Sequence, residues 1–127
     1  MLKKLFTESL YVKVRKNQFS VKNLSANTPW KTQNATNAFS TQRLLVGTFS
    51  NAEPELRALV QAARTTGWIK KSVQVLIQPL ETLEGGLSEI EQRVFKELAL
   101  GAGAFKAKVY TGPELSDEQA LKWLNKP

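Results

Sequence analysis

Residues 72–113 read SVQVLIQPLETLEGGLSEIEQRVFKELALGAGAFKAKVYTGP, and this stretch decides the fold. Val73, Val75 and Ile77 alternate with Gln74 and Gln78, the two-residue period of a strand with one face turned to a core. Residues 79–86 read as a loop. Ser88 followed by Glu91 is a capping-box pair that opens a helix, because each group satisfies a backbone N–H that the first turn leaves unbonded. Ile90, Val94, Leu98 and Gly101 fall on one helical face, and Gly101 and Gly103 close the helix. Residues 105–110 read as a second strand. Strand, helix and strand joined by short connections make a βαβ unit, so the two strands are expected to be parallel neighbours with a right-handed crossover.

Working outward towards the N-terminus, residues 41–48 read as a strand with Leu44, Leu45 and Val46 buried. Ser50 and Glu53 suggest another capping box, with Pro54 in the first turn and Leu56, Leu59, Val60 and Ala63 as the buried stripe. Gly67 is expected to end that helix. Residues 24–40 are polar and hold Pro29, which reads as a loop pinned by Trp30 and Phe39. Residues 9–15 and 18–23 alternate as two strands, Leu10, Val12 and Val14 in one and Phe19 and Val21 in the other. The short Lys16-Asn17 link makes them an antiparallel hairpin. Beyond the βαβ unit, Ser116 and Gln119 cap a last helix with Ala120, Trp123 and Leu124 inward. The element order is β-β-β-α-β-α-β-α. It predicts an α/β fold with a five-stranded mixed sheet and helices packed on it.

The 127 residues are 42% hydrophobic and 23% charged, the balance of a globular chain able to bury a core. No apolar run is long enough to span a bilayer, and no secretory signal is visible, which points to a cytoplasmic protein. Cysteine and histidine are both absent, which removes thiolate chemistry, the commonest general base and the commonest metal ligand. The strands read here carry no Asp or Glu, so two-metal nuclease chemistry has no ligands. Gly85-Gly86 lacks the Lys-Ser/Thr of a P-loop, and the helix it precedes opens with acids that repel phosphate. Glu81, Glu84, Glu89 and Glu91 could meet a cation or a basic partner; acids in a first helical turn ordinarily serve the helix dipole. Trp30, Trp68 and Trp123 are too sparse for a single-strand binder and read as packing anchors.

The net charge of +7 is uneven. Residues 1–48 hold eight Lys or Arg against Glu8 alone, while residues 49–127 hold ten of each sign. The N-terminal third therefore supplies the whole basic field in this reading. Met1, Leu2, Leu5 and Phe6 would share a side of a short helix with Lys3 and Lys4 opposite, a form suited to an anionic membrane surface. A single turn is marginal alone, and a frayed terminus packing two side chains explains the same residues.

The residues also resemble a family. MLKKLFTESLYVKV, LLVGTFSNAEPELRALVQ and above all GGLSEIEQRVFKELALGAGAFKAKVYTGP are similar to the first subdomain of the bacterial actin MreB. The likeness fails mainly in residues 24–40. It implies an N-terminal segment over residues 1–8, then one actin-like, ribonuclease-H-like subdomain over residues 9–127.

The departures from that family bear on function. Its first hairpin holds an Asp-Leu-Gly-Thr type loop for phosphate and metal, where this chain has Lys13, Val14, Arg15 and Lys16. A side chain in place of that glycine blocks backbone approach to phosphate. The family's acids before the proline that ends the last strand are Thr111 and Gly112 here, and its acid after the third strand is Thr48. The second wall of the family's nucleotide cleft has no counterpart in these residues. Lys13, Arg15 and Lys16 fit either a metal-free phosphate grip or a solvated strand face, and alternation alone explains Lys13 and Arg15.

The resemblance thus implies a non-catalytic module, with no cofactor and no metal, that acts by protein contact. Its expected partner is a full-length actin-like filament protein in cell-shape or cell-envelope assembly, with peripheral contact to the inner membrane through Met1, Leu2, Lys3, Lys4, Leu5 and Phe6. Two alternatives stay open: a nucleic-acid-binding domain using the basic third, and a residual nucleotide binder without hydrolysis.

Overall fold

The computed structural model describes residues 6–65, 71–81 and 87–127. Its elements run β1 (Thr7–Arg15), β2 (Gln18–Asn23), β3 (Lys31–Asn34), α1 (Phe49–Ala63), β4 (Ser72–Pro79), α2 (Glu89–Gly101), β5 (Lys106–Val109) and α3 (Asp117–Asn125). The fold is α/β, with a five-stranded mixed sheet in the order β3-β2-β1-β4-β5. β1 pairs antiparallel with β2 and parallel with β4, and β4 pairs parallel with β5. The hairpin and the βαβ unit expected from the sequence are both present. No helix among the described residues is long and apolar enough to cross a membrane.

The sheet is covered on both faces. Leu10, Val12, Val14, Val73, Val75 and Ile77 pack against α1 and α2 through Leu56, Val60, Phe95 and Leu98. On the other face Tyr11 and Leu76 meet Leu24, Ala120 and Leu124 of α3. This second layer changes the reading of the alternating residues. Gln74 and Gln78, placed by period alone on an outer face, are buried beneath α3.

The third strand lies elsewhere than expected. Residues 41–48 form turns and coil, with Leu45 and Val46 buried but Leu44 exposed. Thr41 and Leu44 close on each other, and the Ser40 hydroxyl donates to the Leu45 carbonyl at 2.5 Å. The segment drapes over the core without pairing. The real β3 falls inside the polar region read as loop, and all four of its residues are exposed. Lys-Thr-Gln-Asn carries no apolar alternation, so the sequence gives no strand signal. Its pairing with β2 is reinforced by Ser20–Thr32 and Gln18–Asn34 side-chain bonds of 2.8 and 2.9 Å. Phe39 does pin the loop: it is fully buried and stacks on Phe19 at 4.6 Å.

Helix ends also differ in part. α2 and α3 begin with complete capping boxes at Ser88/Glu91 and Ser116/Gln119. α1 starts at Phe49 behind Thr48, which makes no side-chain cap. Ser50 and Glu53 are therefore inside the helix, Glu53 pairs with Arg57 one turn on, and Pro54 is beyond the first turn. The helix stops at Ala63, four residues before Gly67. In α2 the buried face is Phe95, Leu98 and Ala99, and Ile90 is 76% exposed. Gly103 follows α2 with φ of +118°, a conformation open to glycine and strained for other residues. Gly67, Trp68, Glu84, Gly85 and Gly86 lie outside the described residues.

β1 starts at Thr7, and that brings Glu8 into the sheet, against the expectation of strands free of acids. Glu8 is fully buried. Its Oε1 accepts from the Asn23 amide at 2.8 Å and from Thr65 N–H at 2.9 Å, while the same Asn23 amide donates to the Ala63 carbonyl at 3.1 Å. One carboxylate thereby ties the end of α1 to the first hairpin. Burial would raise its pKa. The Thr65 and Asn23 hydrogen bonds and the Lys71 charge outweigh that and hold it below the ordinary 4.5.

Candidate functional site

Parallel pairing brings the C-terminal ends of β1, β4 and β5 to one edge of the molecule, the place where open α/β sheets bind ligands. Lys13, Arg15, Gln78 and Gly112 gather there with Glu114, from the turn before α3. The Tyr11 hydroxyl, on the covered face of β1, donates to Gln78 Oε1 and accepts from Leu115 N–H at 3.2 Å. Gln78 Nε2 donates to the Gly112 carbonyl at 2.7 Å. Burial pushes the Tyr11 phenol above its usual pKa of 10.0, the nearby Glu114 charge adds to this, and the group stays a neutral donor. The chain thus fills the crevice at its own strand ends.

The charges at this end are also paired. Lys13 Nζ lies 2.8 Å from Glu114 and 4.2 Å above the Trp30 ring, and Arg15 stands 3.7 Å from the same carboxylate. The Lys13 hydrogen bond and charge, with Arg15, hold the Glu114 carboxyl below its ordinary value. Trp30 packs edge-on against Tyr11 at 5.2 Å. Lys22 is likewise paired, with Asp117 at 2.7 Å. The loop between β3 and α1 closes the hairpin tip, since Asn17 Oδ1 accepts from Phe39 and Ser40 N–H groups at 2.9 and 2.7 Å.

The positions singled out from the sequence separate into two sets. Lys13, Arg15 and Gly112 are brought together. Lys16 stands at the hairpin turn, where its N–H donates to Glu81. Thr111 is exposed beside Gly112. Thr48 is not part of the group: its backbone bonds run to Phe39 and to the first turn of α1. A Cβ on Gly112 would sit 2.6 Å from Tyr110 Cζ, so a side chain at that position requires the Tyr110 ring to move. Among the described residues no group of three or more acids could hold a metal. Met1, Leu2, Lys3, Lys4 and Leu5 lie outside the described residues. Phe6 is half exposed at the opposite end of β1, in a groove it shares with Phe105 and Leu121.

Sequence reasoning missed Tyr11, Gln78 and Glu114. Period two assigns Tyr11 and Gln78 to an outer face. The sign that this face is covered is the Ala120/Leu124 stripe of α3, two short steps of an amphipathic helix.

No protein-family model matches the sequence. Over 106 residues the chain is 34% identical to the uncharacterized protein YjaA of Escherichia coli (strain K12), a match covering 80% of this chain and 81% of that one. Identity at that level over most of both chains places this protein in the YjaA family.

Proposed function

We propose that the chain is a non-catalytic, actin-like module that works by contact with another protein. The closed strand-end crevice carries the reading. Where phosphate and metal chemistry would need free backbone N–H groups and acids, Tyr11, Gln78, Gly112 and the Lys13–Glu114 pair hold one another. The hairpin followed by parallel crossovers also agrees with the actin-like, ribonuclease-H-like subdomain that the resemblance implies. A nucleic-acid role for the basic third is less well supported, because Lys13, Arg15 and Lys22 already face carboxylates. In this reading the partner is a full-length actin-like filament protein at the inner face of the cell envelope.

The test is thermal unfolding with ATP and Mg²⁺, beside co-purification with that filament protein. A nucleotide at about 100 times its Kd would stabilise the chain by about 2.7 kcal/mol, or about 10 °C for this length. The expected shift is none, with no phosphate release and with the filament protein retained on the immobilised chain. A 10 °C rise or steady phosphate release would overturn the reading. Binding of anionic liposomes would assign the membrane contact; its absence would remove Phe6 and the residues before it from the proposed surface.

A further inference from the structure

We propose that the free edge of β5, in the slot between α2 and α3, docks a short, extended, acidic segment of the partner protein as a sixth strand. This rests on the contact-module reading and names the chemistry that the contact would recognise. β5 ends the sheet, so one side of its backbone ladder faces no strand. A groove of about 540 Å³ runs along it, floored by Ala107 and Val109 and walled by the two helices. Arg93 and Lys96 enter from α2, Lys108 from β5 and Lys126 from the end of α3, and no acid lines the slot. None of these four forms an ion pair among the described residues.

Part of this charge has a local task. Lys108 Nζ donates to the Trp123 carbonyl at 2.8 Å and Lys106 Nζ to that of Leu124 at 3.0 Å, closing the C-terminal end of α3. Burial together with the Lys106 and Lys126 charges lowers the Lys108 pKa, the mark of cations crowded without an anion. Arg93 and Lys96 have no such task, and Lys126 lies 4.4 Å over the Trp123 ring. Lysine on an edge strand deters pairing with a second, equally basic copy. The same field attracts an acidic strand.

The other edge differs: β3 carries one cation, Lys31, already bonded to the Ala62 carbonyl at 2.9 Å. A segment of four to six residues fits β5, which spans roughly 13 Å.

The experiment titrates the isotope-labelled chain with a capped Glu-Val-Glu-Val-Glu-Val peptide, its Lys-for-Glu counterpart, and a short oligothymidylate. The acidic peptide should give saturable NMR shifts at Ala107, Lys108, Val109 and the Trp123 indole, weakened by salt. The double substitution Arg93→Glu/Lys96→Glu, both on the exposed face of α2, should lower affinity about tenfold or more while the circular dichroism is unchanged. Three results would overturn the proposal: no saturable shift, equal shifts from the basic peptide, or tighter binding of oligothymidylate to the same residues. Retention of the filament protein by the double variant would remove this edge but leave the contact reading standing. ATP turnover by the unaltered chain would end the contact reading whatever the peptide does.

Discussion

Replacing Tyr11 by Phe removes one oxygen from the closed crevice and changes little else in shape. The Tyr11 hydroxyl is the donor to Gln78 Oε1, and Gln78 is fully buried, so the acceptor cannot turn to water. Leaving a buried polar group unpaired costs about 1–3 kcal/mol. Leu115 N–H loses its acceptor too, but it is only half-buried and can be solvated. The expected loss is therefore about 2 kcal/mol, near 7 °C in Tm for a chain of this length. Urea unfolding followed by fluorescence would read it as a midpoint lowered by about 1 M. Gln78→Leu alone also releases the Gly112 carbonyl at the surface. In the double variant the orphaned acceptor is gone, so the two changes should be less than additive by about 1 kcal/mol. A Tyr11→Phe loss below about 0.5 kcal/mol, or strictly additive changes, would mean that this network does not close the strand ends.

Ser88→Ala and Ser116→Ala should each cost about 1 kcal/mol in urea unfolding, whereas Ser50→Ala should stay within about 0.5 kcal/mol, because α1 lacks the cap its sequence suggests. The Glu8 carboxyl titrates below its unfolded value of 4.5, so its contribution is complete above pH 4.5 and is lost as pH falls through the lower folded pKa. Glu8→Gln should therefore flatten the acid limb of a stability–pH curve, and an unchanged limb would contradict the assignment. Glu114→Gln frees Lys13 and Arg15 from their common carboxylate and should raise the salt needed to elute the chain from heparin. Gly103→Ala should destabilise by about 1 kcal/mol through its backbone angle, since the added Cβ would meet its nearest neighbour only at an ordinary 3.5 Å.

The parts of the fold that were legible are those where one local rule sufficed. Hydrophobic alternation set β1, β2 and β4, and reciprocal Ser/Glu and Ser/Gln pairs set the starts of α2 and α3. β3 was illegible because an exposed edge strand needs only a partner and backbone bonds, and Lys-Thr-Gln-Asn advertises neither. Residues 41–48 misled for the opposite reason. Leu45 and Val46 are apolar because a covering loop buries them, and burial without pairing leaves the same pattern as a short strand. At the site, Lys13 and Arg15 were visible as unusual residues, but their meaning lay in Glu114, about a hundred positions away and brought close only by α3 folding back over β1.

The same long-range closure reverses the electrostatic reading. Along the sequence, the excess of positive charge belongs to the first 48 residues and the remainder is neutral. In space, the acids Glu114 and Asp117 at the start of α3 lie against Lys13, Arg15 and Lys22 of the hairpin. Pairing withdraws Glu114 and Asp117 from the balance of the C-terminal part, whose cations include Arg93, Lys96, Lys108 and Lys126 around β5. The half that sums to zero therefore carries a basic slot of its own. A surface defined this way depends only in part on α3 being docked: an agent that detaches α3 would free the hairpin cations and carry off Lys126, but leave Arg93 and Lys96 on α2 and Lys108 on β5. Protection of Tyr11 should then be lost while binding at the β5 edge is weakened but not abolished, and complete loss of that binding would show that the cations of α2 and β5 do not suffice to hold the acidic segment.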